Sequence, residues 1–269
     1  MSPIYTPGKL VLKKDSVAPG LLDAYGGAAA AYSLRRLSAN YTGPVVRIRR
    51  SSDSTEQDFT ATQVTDGTLT TFCGAGNGFV RTWYDQSGNV RDATQTNTAL
   101  QPTIVSSGLL LQVNSRPAIS FNAAPFLTST LQLAFPFSAF WTVYPNNNPV
   151  SSVDRFAGQD GGGQFRYGTA ALGGWFNATV NGPALTGQAQ HQNTWLGISN
   201  SLIQTAANGS SLTNTVAGFS IATTSFSVGR STAAASFNGF IQEGVVYLSN
   251  ESSNRTAIEA NINAHYAIY

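Results

Sequence analysis

Carboxyl groups are few in the second half of the chain, and this limits the acid–base chemistry available there. Between residue 161 and the C-terminus only Glu243, Glu251 and Glu259 are acidic. Asp154 and Asp160 lie just before this stretch, six residues apart. Hydrolysis of a glycosidic bond by the common route needs two carboxyl groups about 5–10 Å apart. Asp154 and Asp160 are therefore the central candidates for such a pair, because Glu251 and Glu259 fall on a predicted helix.

Histidine and cysteine, which hold most transition metals in proteins, are scarce. The chain has one cysteine, Cys73, and two histidines, His191 and His265. One cysteine excludes an intrachain disulfide and a Cys-x-x-Cys metal site, and two histidines are too few for a histidine metal centre. The glycine-rich segment 74–78 lacks the strand before it and the long helix after it that a dinucleotide site requires. We expect no metal and no cofactor.

A polar turn at residues 85–89, Asp-Gln-Ser-Gly-Asn, follows a predicted strand that contains Trp83 and Tyr84. Asp85 could bind an ion, accept a hydrogen bond from a sugar hydroxyl, or cap its own turn, and the last is a common role of aspartate in turns. Tyr25 and Tyr32 could stack on a sugar ring or pack against the protein.

The composition favours a large, weakly charged β-protein. Of the 269 residues, 42% are hydrophobic, but only 10% are charged, against about a quarter in typical domains. The surface must then be built from Ser, Thr, Asn, Gln and Gly, which is typical of extracellular or virion surfaces and not of cytosolic enzymes with ion-pair networks. The net charge is +2, and the densest basic cluster, Arg47, Arg49 and Arg50, is too small for nucleic-acid binding.

Short apolar runs separated by turns every 8 to 12 residues predict an all-β sandwich. The segment 226–247 is typical, since a strand around Phe226 and Val228 is followed by a polar loop and a nearly continuous apolar run at residues 240–247. Helices are predicted at both ends. The first covers residues 21–37 with its alanine-rich centre, and the second runs from about residue 249 to Tyr266.

The organisation predicted along the chain is an extended arm at residues 1–20 and one sandwich domain at residues 21–269. The arm is polar and basic, and Lys9, Leu10, Val11 and Leu12 could add as a strand to the sheet edge of another protein. No apolar signal segment and no apolar run of about 18 residues is present, so neither a signal peptide nor a membrane span is expected.

With these segments placed, the chain resembles a known group. An alanine-rich segment, the strand VVRIRRSSD, the segment TWYDQSGNVRDATQ, the strand FNGFIQEGVVY and a closing helix that ends in Tyr follow one another. This order is similar to concanavalin A-like (laminin-G-like) jelly-roll domains of phage and bacterial surface proteins, and among enzymes to the catalytic domain of arabinofuranosidase B. The resemblance covers about residues 24–269 and implies a jelly-roll sandwich.

The resemblance also implies where catalytic groups would stand. A Gly-Asp-Asn segment of the enzyme, which supplies its catalytic acid, corresponds to residues 228–231, Val-Gly-Arg-Ser. Its nucleophile, a glutamate followed by asparagines, corresponds to residues 175–177, Trp-Phe-Asn. Neither segment has a carboxyl group. The positions near this implied pocket, expected to contact a sugar, are Trp175, Asn177, Arg230 and Asp160.

These observations together favour a non-catalytic virion protein of a phage, of tail fibre, spike or head decoration type. Its arm would dock on other virion proteins, its sandwich would bind a host-surface glycan, and a trimer is expected by analogy with phage fibres. Two alternatives remain: a structural virion protein without a ligand, and a glycoside hydrolase or depolymerase that uses Asp154 and Asp160. A role in nucleic-acid binding is not expected.

Overall fold

The computed structural model describes residues 20–122, 124–147, 154–168, 171–176, 178–232 and 235–269. The predicted docking residues Lys9, Leu10, Val11 and Leu12 lie outside this part of the chain, and so does Asn177.

Short antiparallel strands make up most of the described chain. The strands of its first half are β1 (Ala30–Ser33), β2 (Val46–Arg50), β3 (Glu56–Phe59), β4 (Gly78–Trp83), β5 (Ala93–Thr94), β6 (Thr103–Ser106), β7 (Leu109–Leu110), β8 (Gln112–Val113), β9 (Arg116–Pro117), β10 (Ile119–Ser120) and β11 (Leu127–Ser129). Those of the second half are β12 (Phe137–Pro145), β13 (Arg155–Gln159), β14 (Gln164–Gly168), β15 (Ala171–Trp175), β16 (Thr179–Ala184), β17 (His191–Ser199), β18 (Leu202–Ala207), β19 (Thr213–Val216), β20 (Phe226–Val228), β21 (Arg230–Thr232), β22 (Ala235–Ser236) and β23 (Gly239–Tyr247). The helices are α1 (Leu21–Ala24), α2 (Ala61–Thr65), α3 (Thr68–Cys73), a 3₁₀ turn (Thr98–Leu100) and α4 (Arg255–Tyr266).

The strands form two packed layers, so the predicted all-β sandwich is confirmed. One layer, called layer A here, has the order β3-β2-β4-β5-β11-β20-β13-β14-β15-β16. The other, layer B, places β23 between β12 and the strands β1 and β10, and continues through β17, β18 and β19. Strand β6 joins them, because it pairs with β4 of layer A and β10 of layer B.

Aromatic side chains fill the space between the layers. Trp141 of β12 stacks on Phe226 of β20 with ring centroids 6.3 Å apart. Trp195 of β17 contacts Phe156 and Phe165 at 5.5 and 5.0 Å. All five side chains are fully buried. Aromatic pairs contribute more to stability than their buried area alone. This cluster therefore holds the two layers together.

The first helix is much shorter than the sequence predicted. Alanines 28–31 favour a helix by propensity, but α1 ends at Ala24, and Gly27 takes a left-handed φ of 81°. Strand β1 follows and pairs with β23, Ala30 opposite Val246. Ala30 and Tyr32 face the main core, whereas Ala31 faces the second core under α4. Burial on both faces therefore overrides helix propensity.

The predicted C-terminal helix is confirmed as α4, although it begins at Arg255, a few residues later than expected. Its buried residues Ile258, Ile262 and Tyr266 pack on the outer side of layer B against Phe140 and Val245. Within the described residues, no helix is long and apolar enough to cross a membrane.

Candidate functional site

The structure separates the two carboxylates that the sequence placed together. Asp154 immediately precedes β13, and Asp160 immediately follows it. An extended strand rises about 3.3 Å per residue, so six residues separate these backbones by roughly 20 Å. This exceeds the spacing of any glycosidase carboxyl pair, which is about 5–10 Å. Asp154 is also buried and accepts a hydrogen bond from Asn147 Nδ2 at 2.7 Å. The predicted pair of Asp154 and Asp160 is therefore wrong.

The residues expected to contact a sugar are only partly brought together. The backbone of Trp175 ends β15 opposite Gln164, at the sheet end that also carries Asp160. Arg230 begins β21, and its guanidinium lies 3.1 Å from the centroid of the Phe126 ring. Burial lowers the pKa of Arg230, while the charge of Asp160 acts in the opposite direction. Asp160 and Arg230 are thus within electrostatic reach of each other.

A groove of about 520 Å³ runs over the outer face of layer A, across β5 and β11 to Ser225, which immediately precedes β20. We call it the hydroxyl groove, because hydroxyl side chains dominate its lining. The residues that line it and enter the argument below are Asp92, Thr94, Thr128, Thr130, Gln132 and Ser225. Apart from Ser129, which also lines the groove, the members on each of the two strand segments are two residues apart, as expected for side chains on one face of a sheet. Hydroxyl and amide groups in a surface groove are suited to hydrogen-bonding a sugar.

Strand pairing places Asp92 at one wall of this groove. Thr94 of β5 pairs with Thr128 of β11 in antiparallel register. Two residues before Thr94 and two residues after Thr128, the same register places Asp92 opposite Thr130. Both line the groove, in agreement with this register.

The same row of the sheet continues beyond the groove lining to Asp160, which immediately follows β13. Phe226 of β20 pairs with Ser129 on one side and with Gln159 on the other. One residue outward, Ser225 therefore lies between Thr130 and Asp160. The Thr224 hydroxyl donates a 2.8 Å hydrogen bond to the Asp160 carbonyl, which ties these segments together.

The pKa of Asp92 is raised above the usual range of aspartate. Partial burial raises the pKa, the negative charge of Asp85 adds to it, and a 2.9 Å hydrogen bond from the Asp85 backbone N–H opposes both. A carboxyl group that keeps its proton to higher pH is suited to general-acid catalysis. Sequence reasoning missed Asp92, although it lies three residues beyond the turn at 85–89.

Asp85 caps its own turn, which is the commonest of the three roles considered for it from the sequence. Its Oδ1 accepts from the N–H groups of Ala31 and Ser87, at 2.8 and 2.9 Å. Its Oδ2 accepts from the Ser87 hydroxyl and the Arg91 N–H, at 2.8 and 3.0 Å. With both oxygens bonded and the residue buried, Asp85 fixes the hairpin that presents Asp92.

Most other carboxylates in the described residues are bonded elsewhere. The ion-paired ones are Asp53, Asp58, Glu56, Glu243 and Glu259, whose partners are Arg50, Arg47, Arg81, Arg35 and Arg255. In contrast, Asp160 is exposed and forms no ion pair in the described part of the chain. No cluster of three or more His, Cys, Asp or Glu residues that could hold a metal occurs among the described residues.

The described part of the chain is an antiparallel β-sandwich, and the comparisons with known proteins agree with that fold. A family model described as the catalytic domain of alpha-L-arabinofuranosidase B matches residues 23–110, which include Asp85 and Asp92. A search of curated proteins finds no match.

Three solved structures of arabinofuranosidases share the fold. One, a mutant GH54 α-L-arabinofuranosidase soaked with 4-nitrophenyl α-L-arabinofuranoside, is 15% identical with a TM-score of 0.69, over 93% of this chain and 66% of that one. A GH54 enzyme with a cyclic sulfate inhibitor is 15% identical with a TM-score of 0.64 and the same coverage. An arabinofuranosidase complexed with arabinofuranosyl-α-1,2-xylobiose is 17% identical with a TM-score of 0.63, over 93% and 64%. The chain therefore spans about two thirds of the length of the enzymes it matches.

These comparisons overturn the function expected from the sequence. The expected non-catalytic virion protein was wrong, because both the family model and the structures point to a glycosidase and none of them to a phage particle. The alternative of a glycoside hydrolase agrees better with them. The similarity to arabinofuranosidase B is confirmed, whereas the concanavalin A-like assignment stays a prediction.

Proposed function

We propose that this chain is a glycoside hydrolase of the arabinofuranosidase type and that the hydroxyl groove binds its substrate. The observation that carries the proposal is the carboxyl group of Asp92, which has a raised pKa, lines the hydroxyl groove and lies within the stretch matched by an arabinofuranosidase catalytic model. The substrate class is a glycan with a terminal arabinofuranosyl group.

In this proposal Asp92 is the general acid and Asp160 the general base. As the bond between the anomeric carbon and the glycosidic oxygen breaks, Asp92 donates its proton to that oxygen and releases an alcohol. Asp160 removes a proton from a water molecule, whose oxygen forms the new bond to the anomeric carbon. The products are free arabinose and the shortened glycan, and the two carboxyl groups return to their starting states by exchanging protons with solvent.

The spacing of the two aspartates favours direct attack by water. They are separated by three strand-to-strand steps of about 4.8 Å, so their backbones are roughly 14 Å apart. Inverting glycosidases have their two carboxyl groups about 6.5–9.5 Å apart, so the proposal requires the two side chains to approach each other across the sheet face when substrate binds. A covalent intermediate needs carboxyl groups about 5 Å apart, and the two aspartates in this row are too far apart for that.

The proposal takes its carboxyl groups from positions other than those the resemblance implied. Residues 175–177 and 228–231 have no carboxyl group, so we propose that the acid is supplied by Asp92 in the hydroxyl groove and the base by Asp160 beyond its end. Sugar contacts by Trp175, Asn177 and Arg230 stay predictions, as do docking of the N-terminal arm and trimer formation.

The test is release of arabinose from arabinofuranosyl-α-1,2-xylobiose. The wild-type chain should release arabinose, and Asp92→Asn and Asp160→Asn should each reduce the rate by about 10²–10⁴-fold, the usual contribution of a general acid or base. Asp66→Asn is the matched control, because Asp66 lies in an exposed turn and asparagine can still accept the hydrogen bond from the Thr68 N–H. Full activity in either groove variant would refute the assignment.

A further inference from the structure

A second cavity, remote from the hydroxyl groove, is surrounded by arginines. It has a volume of about 280 Å³ and lies where the end of β1, α2, β9 and the end of α4 meet. Arg35, Arg36 and Arg116 line it together with His265. None of these residues lines the hydroxyl groove. We call this cavity the arginine pocket.

The positive charge of the arginine pocket is only partly balanced by neighbouring carboxylates. Arg35 is neutralised by Glu243, with Nε to Oε2 at 2.8 Å. Arg36 and Arg116 form no ion pair within the part of the chain that the structure describes. Arg116 uses one N–H, on Nε, to donate to the carbonyl oxygen of His265, which leaves the outer edge of its guanidinium to the cavity. Burial, reinforced by the charges of Arg35 and Arg116, lowers the pKa of His265 to about 4. At neutral pH the guanidinium groups of Arg36 and Arg116 therefore face the cavity without a bonded carboxylate among the described residues, although the charge of Arg36 also acts on Asp23.

The remaining walls suit a sugar ring better than an isolated ion. Leu34, Ala61 and Pro117 give the arginine pocket apolar surface. A neighbouring cavity of about 430 Å³ shares Arg36, Ala61 and Thr62 with it, so a longer glycan can continue beyond the first ring. Small-molecule sites commonly combine apolar walls with a few polar groups, in volumes from about 300 Å³ upward, and the arginine pocket lies just below this lower limit. Arginine binds carboxylates and phosphates through two parallel N–H groups.

We propose that the arginine pocket binds an anionic sugar, with Arg36 and Arg116 holding its carboxylate or phosphate oxygens and the apolar wall supporting its ring. This site is independent of the proposed catalysis at Asp92, because the two share no residue. It would let the protein recognise acidic glycans whether or not it cleaves arabinofuranosides.

Isothermal titration calorimetry with glucuronate, inorganic phosphate and glucose tests the proposal. We expect saturable binding of glucuronate at one site, weaker binding of phosphate that competes with it, and no binding of glucose. Arg36→Gln and Arg116→Gln should each lower the affinity for glucuronate at least about tenfold, because each removes a charge-assisted contact. Arg81→Gln, at a surface arginine paired with Glu56, is the matched control and should bind normally.

Three outcomes would overturn the proposal. The wild type does not bind glucuronate, both pocket variants bind glucuronate as tightly as the wild type does, or the wild type binds glucose as tightly as glucuronate. Phosphate binding as tightly as glucuronate would refute the sugar and leave a simple anion site. If Arg116→Gln fails to fold because its bond to His265 is lost, Arg36→Gln decides alone, since Arg36 forms no ion pair among the described residues whose loss would destabilise the fold. Unchanged activity on arabinofuranosides in Arg36→Gln would show that this site and the hydroxyl groove act separately.

Discussion

Arg35 and Glu243 form a buried, two-pronged ion pair between the end of β1 and the middle of β23. Arg35 Nε donates to Oε2 of Glu243 at 2.8 Å, and Nη2 donates to Oε1 at 2.9 Å. The Ser33 hydroxyl and the Tyr266 hydroxyl also donate to this carboxylate, at 2.7 and 3.1 Å. The pair thereby connects β1, β23 and α4, and the glutamate serves the fold rather than catalysis.

Removing one partner of this pair should destabilise the protein strongly. Glu243→Gln leaves Arg35 without its counter-charge in a nearly buried position, and such a change typically lowers the free energy of unfolding by about 3–5 kcal/mol. Urea denaturation followed by tryptophan fluorescence measures it. Asp53→Asn is the control, since Asp53 pairs with Arg50 at the exposed surface and its loss should have little effect. Equal stability of Glu243→Gln and the wild type would contradict this role.

The same pair should make stability depend on pH in the acid range. Burial by itself would raise the pKa of Glu243, but the Arg35 charge and the hydrogen bonds from Arg35 and Ser33 outweigh it, so the pKa is lowered. A glutamate whose pKa is lower in the folded state stabilises the fold above its ordinary pKa of about 4.3, and this contribution is lost as the pH falls through the folded value. The difference in unfolding free energy between wild type and Glu243→Gln should therefore shrink on acidification from pH 7. A difference in unfolding free energy that grows on acidification would contradict the lowered pKa of Glu243.

Gly244 should tolerate no side chain. It pairs with Trp141 across β23 and β12, and a Cβ at this position would lie 2.2 Å from the indole ring. Gly244→Ala must displace a tryptophan in the core and should cost about 1–3 kcal/mol. Gly218→Ala is the matched control, because a Cβ there meets nothing within 4 Å. Thermal unfolding of the two variants compares them directly, and equal melting temperatures would contradict the close packing.

The catalytic rate should fall as the pH rises, with a limb set by Asp92. A general acid works only while protonated, and the raised pKa of Asp92 keeps it protonated to higher pH than an ordinary aspartate at about 3.9. The alkaline limb of kcat/KM should disappear in Asp92→Asn, which cannot ionise. An unchanged limb in the residual activity of that variant would assign it to another group.

The wide separation of Asp92 and Asp160 also predicts the stereochemical outcome. Direct attack by water on an α-arabinofuranoside first releases the β anomer of arabinose, whereas a covalent intermediate would return the α anomer. Proton NMR during the first turnovers distinguishes the two. Initial release of the α anomer would contradict the pairing of these two carboxyl groups.

Patterns among residues close together in the sequence correctly predicted several strands and the C-terminal helix. Alternation and turn residues identified the strands near Phe226 and residues 240–247, and the spacing of Ile258 and Ile262 identified α4. The alanine-rich segment misled, since its small side chains serve a strand buried on both faces. The helix propensity of this segment does not show that β23 lies beside it in the fold.

The candidate site was harder to predict, because pairing between distant strands creates it. Asp154 and Asp160 are close in sequence but separated by an extended strand. Asp92 and Asp160 are 68 positions apart in the chain, and they share a row only through the registers of β5, β11, β20 and β13. No spacing rule in the sequence contains that information.

The central claim is that Asp92 protonates the leaving group, and comparing two substrates tests it most directly. Nitrophenolate leaves without much help from an acid, whereas a sugar hydroxyl needs its proton. Asp92→Asn should therefore lose much more activity on arabinofuranosyl-α-1,2-xylobiose than on 4-nitrophenyl α-L-arabinofuranoside, while Asp160→Asn should lose activity on both to a similar extent. Equal losses of Asp92→Asn on the two substrates, or a wild-type chain that cleaves neither, would contradict the account.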